Sequence, residues 1–499
     1  MIAQRRALLN LLFVPLCFIS CTNKLAWNNV LPTARELLTS SATELQISAS
    51  SRDNQAPDSP SSQSLSKNKR GYVLARAALH MHSPYSYDAC TSISKDQCYA
   101  DLRSSFCKNH LDFVALTDHP SHMTELEFPK LLLNEPEDEL IFQNGQNSDP
   151  IANRMTCSDG HKVLIMAGFE SQMMALGMTQ HIEPTPERRS EEYSKRSSEL
   201  SLRLKNEADA IVVMPHTEGK GKTPEKLSNL SLDAIEIYNL HANISPKTRA
   251  DELGLTYFSG LIDLLVYWVD PFGEQQADLA FLSFMTVRDV YAKKWDALIA
   301  QGQHLTGIGG NDAHQSLFPG KAKDGDKIDS YRRLSRWVAN GLLVQDLTVS
   351  EFKNALRKGR SWVTFEGLGS PVDFDFFAET PNQTLELGDT VYLSDQTAIL
   401  HAQMPTLHHS SPQSGVSPKI TLKLIYVDTR GNESVIESTG NSAIRHEIKS
   451  PGAYRVEVDI IPRHLKRFVG YQKEITERAF KWIISNHIYA VSEPPPSSL

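Results

Sequence analysis

Between residues 71 and 370, nearly every short apolar run of the chain is followed at once by a histidine or a carboxylate. No other feature constrains the fold as much. The runs Phe113-Val114-Ala115-Leu116, Val163-Leu164-Ile165-Met166, Ala210-Ile211-Val212-Val213, Ala234-Ile235-Glu236-Ile237 and Leu305-Thr306-Gly307-Ile308 have the length and composition of buried parallel strands. Polar stretches of helical character, Glu192 to Ala208 and Val287 to Gln301, lie between them. Such alternation predicts an α/β domain, a βα barrel, over 71–370. Thr348-x-x-Glu351 reads as a capping box that opens a helix stopping near Gly359.

The strand ends carry the chemistry. His80-Met81-His82 closes the run from Val73 to Ala78, and residues two apart on a strand share a side, so both imidazoles can meet one ion. Asp88 follows a Ser-Pro-Tyr-Ser turn, and His119 lies directly behind Leu116 and Asp118. Glu170 ends Met166-Ala167-Gly168-Phe169, His181 follows across a loop, and His216 ends the run through Pro215. Asp312-Ala313-His314 leaves the Gly307-Ile308-Gly309-Gly310 strand with the same alternate spacing. A lone histidine at such a place is usually structural. Convergence at the C-terminal ends of strands, where α/β folds build their sites, points instead to a centre. Imidazole and carboxylate suit Zn, Mn or Fe, and the absence of cysteine from the set argues against a structural zinc site. Asn239 and His241 end the next strand and are candidates to face substrate; Arg360 is a candidate to neutralise a phosphate. Lys220, Lys222, His110 and His122 read as surface residues.

In this order (His-x-His, Thr-Asp-His, Gly-Phe-Glu, Pro-His, Asp-Ala-His) the motifs make the chain resemble the PHP (polymerase and histidinol phosphatase) domain phosphoesterases, from His80 to Arg360. The resemblance implies a distorted (βα)7 barrel with two or three divalent transition-metal ions at its C-terminal face. It implies that His80, His82, Glu170 and Asp312 hold one ion. Glu170 would bridge to a second ion held by His181 and His216, and Asp88, His119 and His314 would hold a third. Ions sharing Glu170 would bring a bridging water toward neutral pKa, with Asp312, Glu170 or Asp88 orienting it or taking its proton. The implied activity is hydrolysis of a small phosphate ester. The same site is compatible with carboxylic or carbamic esters or amides, or with a metal-binding surface protein without turnover.

The rest of the chain frames this domain. Lys plus Arg number 51 against 59 Asp plus Glu, a formal charge of −8, so no basic footprint for nucleic acid is expected. Arg5 and Arg6 precede an apolar stretch from Ala7 to Ile19, shorter than the roughly 20 residues that span a bilayer, and Phe18-Ile19-Ser20-Cys21 resembles a lipobox. We therefore expect a signal peptide over 1–20, a Ser-rich tether over 21–70, and a periplasmic protein whose membrane link is a lipid on Cys21. Cys90, Cys98, Cys107 and Cys157 then permit two disulfides in three possible pairings, or free thiols. Beyond 370 the alternation Ile420 to Val427, the turn Asp428 to Asn432 and the runs at Tyr454 and Trp482 predict a smaller antiparallel β-sandwich over 371–499. A small phosphorylated molecule is the only partner the chain's chemistry suggests.

Overall fold

The computed structural model describes residues 67–493, apart from 144–147, 258–259, 261–262, 265–275, 319, 323, 395–396, 409–415 and 471. The expected signal peptide, Cys21 and most of the expected tether lie outside the described residues. The tether's last residues are held: the Arg70 guanidinium donates to both oxygens of Asp375 (2.7 and 2.6 Å) and to Glu386 (2.5 Å). No helix among the described residues is long and apolar enough to cross a membrane.

The chain is mixed α/β. Strands β1 (Val73–Met81), β2 (Phe113–Leu116), β3 (Glu139–Phe142), β4 (Pro150–Thr156) and β5 (Lys162–Met166) belong to a large sheet. A second sheet holds β6 (Phe169–Glu170), β7 (Met174–Leu176), β8 (Ile211–Met214), β9 (Ala234–Asn239) and β10 (Thr306–Gly310). β11 (Ala339–Val344) and β12 (Ser361–Thr364) return to the first. The five expected runs are strands and pair with one another in parallel, and further strands between them add antiparallel members. β1 pairs parallel with β2, β2 with β5, and β8 with β9 and β9 with β10, whereas β11 lies antiparallel to β1, β4 to β5, and β7 to β8. Of these, only β4 and β5 form a hairpin; β11 reaches β1 from the far end of the domain, and two helices separate β7 from β8.

Alternate residues of both sheets face one core. Val73, Ala75, Ala77 and Leu79 of β1 meet Phe113 and Ala115, Leu164 and Met166, Ile211 and Val213, and Leu342 and Val344. Val349, Phe352, Ala355 and Leu356 of the helix Val349–Arg357 pack against this core, and Thr348 caps that helix by accepting from Glu351 N (3.2 Å). The helix expected over Glu192–Ala208 is two helices, Pro186–Tyr193 and Ser198–Ala208. Thr185 and Ser197 each cap a start, and Thr185-Pro186 is a start signal the apolar periodicity passes over.

β10 has no ladder partner on its far side in the second sheet, and two buried asparagines serve in place of one. The Asn340 side chain accepts from Gly309 N and donates to Gly309 O (2.8 Å each), and Asn486 does the same for Gly307 (2.7 and 3.0 Å). The substitution Asn340→Ala strands both groups of Gly309, each costing about 1–3 kcal/mol. A loss of at least about 2 kcal/mol in denaturant unfolding is the expected result.

The C-terminal half is built mostly of antiparallel strands, part of which join the large sheet. Gly452–Ile461 pairs with Lys419–Val427 and with Phe480–Ser485, and Phe480–Ser485 pairs antiparallel with β12, carrying the large sheet across residue 370. Lys419–Val427 and Glu433–Thr439 form the expected hairpin. A separate four-stranded sheet of Asp375–Glu379, Thr384–Leu385, Ile399–Gln403 and Ile444–Glu447 lies in this half. Disulfides join Cys90 to Cys98 and Cys107 to Cys157.

Candidate metal centre

The site is built where β1, β2, β6, β8 and β10 end. Relative to β2, β1 gains one residue between Ala78 and Met81. Such a bulge re-aims side chains, here His80 and His82, toward the strand ends. Ser83 stops the strand by donating from N and Oγ to Asp118 (2.5 and 2.6 Å). Ser86 Oγ donates to Asp88 Oδ1 (3.1 Å) and accepts from His119 N (3.1 Å), tying the turn after β1 to the end of β2. Tyr331 OH donates to His82 O (2.8 Å), and Cys90 N donates to His314 O (2.9 Å) beside the Cys90–Cys98 bridge. His216 and Asp312 each adopt a left-handed backbone (φ 51° in both), a conformation side chains take at a cost and one that recurs at functional sites. Hydrogen bonds from their own amides hold them there: His216 N to Glu236 (2.6 Å) and Asp312 N to His80 O (2.9 Å).

Asp312 is the hub. Its Oδ1 lies 3.2 Å from His82 Nε2, 3.5 Å from His80 Nε2 and 3.4 Å from His314 Nδ1. Its Oδ2 lies 3.3 Å from His216 Nε2 and 3.5 Å from His241 Nδ1. Glu170 reaches His119 Nδ1 (3.1 Å) and His216 Nε2 (3.5 Å), while Asp88 Oδ2 lies 3.3 Å from both His119 Nε2 and His314 Nε2. Donor atoms gather in four overlapping groups: His82, Asp88, His119 and His314; His80, Glu170 and His216; His80, His82 and Asp312; and His241, Asp312 and His314.

These residues fit metal ions. The His80 and His82 Nε2 atoms face one another at 3.3 Å, an approach that a shared cation explains better than a nitrogen–nitrogen hydrogen bond. His314 Nε2 and His241 Nδ1 are buried without an aligned hydrogen-bond partner. Burial and the neighbouring charge of His314 push His82 down to about 3, so it offers a free lone pair. Burial would lower His119 as well, but Asp88 and Glu170 beside it raise it to about 11. Against the upward push of burial, the facing imidazoles hold Asp88 and Asp312 below the usual carboxylate range. The carboxylates are thus held ionised among the imidazoles, where a bound cation can take the place of the imidazole protons. Since nitrogen ligands bind ions only when deprotonated, metal uptake should release protons and weaken as pH falls, a result that titration in weak buffer would read.

Of the residues expected from sequence, His80, His82, Asp88, His119, Glu170, His216, Asp312 and His314 come together. His181 does not: its Nδ1 meets Tyr193 OH (3.1 Å) and its Nε2 meets Leu126 O (3.0 Å), so neither nitrogen is turned to the centre. His241, expected to face substrate, stands among the donors in its place. Asn239 bridges inward, donating to Glu236 (3.2 Å) and Asp312 (3.3 Å). Arg360 is far from a phosphate-binding role: it lies at the end of the sheet opposite His80, donating to Tyr72 OH (2.8 Å). Sequence reading missed Glu236 and Glu218, which hydrogen-bond to His80 Nδ1 (2.6 Å) and His216 Nδ1 (3.0 Å). An acid inside the apolar run Ala-Ile-Glu-Ile-Tyr was the available signal for Glu236. Asp88, His119, Glu170, His216, His241, Ser245, Thr248, Asp312 and His314 line a cleft of about 180 Å³.

No known protein-family model matches the chain. No curated protein matches it either. A solved structure of a two-domain protein containing a predicted PHP-like metal-dependent phosphoesterase from Bacteroides vulgatus ATCC 8482 is similar over 88% of this chain and 100% of that one, at 12% identity and a TM-score of 0.31.

Proposed function

We propose that the protein is a metal-dependent hydrolase, and specifically a phosphoesterase acting on a small phosphate ester. The observation that carries this reading is the buried Asp312 carboxylate shared among His80, His82, His216, His241 and His314 at 3.2–3.5 Å. On this reading the two half-sheets around one core are the halves of a distorted βα barrel. Neighbouring divalent ions, when bound, supply a nucleophile at neutral pH and offset charge on a transferring phosphoryl group.

The chain's own residues do the rest. His80, His82 and Asp312 would hold one ion, Glu170 and His216 would extend the set toward a second, and Asp88, His119 and His314 would serve a third. Asp88 is 31% exposed where Asp312 and Glu170 are 5–6%, so it is the carboxylate placed to pass a proton between substrate and bulk water. Ser245 and Thr248 at the cleft wall offer hydroxyls to substrate oxygens. A cleft of about 180 Å³ is below the roughly 300 Å³ at which pockets begin to enclose drug-sized ligands, which favours a compact reacting group with the remainder outside. Two disulfides support a place outside the cytoplasm.

The test is a panel of phosphomonoesters, phosphodiesters and carboxyl esters, assayed with Mn, Zn and Fe separately after chelation. Turnover of a phosphate ester restored by one of these ions supports the reading. Turnover confined to carboxyl esters, or none with every ion, overturns it.

A further inference from the structure

Glu236 projects from the middle of β9, is fully buried, and has no place in the donor groups described above. Its carboxylate nonetheless joins three strands of the centre. Oε1 accepts from His80 Nδ1 at the end of β1 (2.6 Å). Oε2 accepts from His216 N behind β8 (2.6 Å) and from Asn239 Nδ2 (3.2 Å), and Asn239 in turn donates to Asp312 behind β10. Room for this is made by Gly310: a Cβ there would overlap Glu236 Oε1 and come within 3.2 Å of His80 Nδ1. Gly310, the last residue of β10, therefore clears space for a carboxylate on the neighbouring strand.

Resting on the metal-centre reading, we infer that Glu236 is a positioning residue that holds His80 with Nδ1 protonated and Nε2 turned to the ion, and that couples this ligand to His216 and Asp312. A histidine's second nitrogen decides which nitrogen binds metal, and a carboxylate on that nitrogen makes the ligand more basic and fixes its ring. Only an acid can serve here. A carboxylate is acceptor-only, and both of its oxygens face N–H donors; a glutamine would bring an NH₂ against one of them.

The test compares full-length wild type and Glu236→Gln, each stripped of metal and titrated with Zn²⁺ against a chromophoric chelator, then with Co²⁺ by absorption. The expected result is a weakening of about 10–100-fold in the tightest site of Glu236→Gln and a shifted Co²⁺ band. Equal affinity and an unchanged Co²⁺ spectrum in the two proteins would overturn the role of Glu236 while leaving the metal centre standing. If wild type itself takes up neither ion, the metal-centre reading fails first and this inference falls with it. Should the variant not fold, histidine ¹⁵N spectra of Zn²⁺-loaded wild type, with His80 assigned by His80→Gln, decide the matter. A protonated Nδ1 and a coordinated Nε2 on His80 support the inference; the opposite arrangement overturns it.

Discussion

Asp312→Asn is expected to leave the fold nearly intact and to remove most of the activity. The amide keeps the shape of the carboxylate but cannot present negative charge to five imidazoles, and Asp312 touches more of the candidate ligands than any other residue at the centre. Changes one layer behind a metal's ligands commonly cost about 10–100-fold in affinity or activity, so loss of a charged ligand should cost at least that. Thermal stability, ions bound per chain and turnover on the best substrate found should be read together. A variant that keeps its ions and full turnover would remove Asp312 from the site, and the proposed function with it.

The second large effect lies in the body of the fold. Arg455 is buried where the strand Gly452–Ile461 meets the helix Asp289–Ala300. It donates to Asp296 Oδ1 (2.8 Å) and Glu457 Oε1 (3.0 Å), and pairs with Glu433. Burial pushes the Asp296 carboxyl up, whereas Arg455 and Lys481 overcome burial to hold Glu457 down to about 2. Removing one partner of a buried ion pair strands the other, so Arg455→Met should cost about 3–5 kcal/mol at neutral pH. The deficit should also depend on pH. Without Arg455 the folded-state carboxyls titrate above their unfolded values, so the folded form binds more protons and loses stability as pH rises. The gap to wild type should therefore narrow from pH 7 to pH 5 in urea unfolding. A gap that is flat or widens toward acid would show that these carboxylates do not depend on Arg455.

Much of the centre was legible because its signals are local. A strand's two-residue period suggests His80 beside His82. Asp312 and His314 instead lie past the end of β10, and Asp312 is left-handed; there the position of a residue just past an apolar run is the signal that marks it for the strand ends. The Thr348–Glu351 cap and the hairpin around Asp428–Asn432 are likewise contacts between near neighbours in the chain. His181 and His241 show where this stops. Both follow a strand end, and nothing within either segment says which imidazole turns inward. Tyr193 and Leu126 take up the nitrogens of the first, and β9 and its neighbours aim the second at Asp312.

The same division runs through the fold. By itself the sequence determined the class of fold, most strand positions and the chemical character of the centre, because apolar periodicity and residue type act over a few residues. Only the tertiary structure decided that Cys107 pairs with Cys157, that Phe480–Ser485 extends the large sheet through β12, and that two asparagines seal β10. It alone set Glu236 behind His80, 156 residues earlier in the chain. Such contacts arise from how distant segments fill and satisfy one another's buried surfaces. That is a property of the assembled core, and no local pattern carries it.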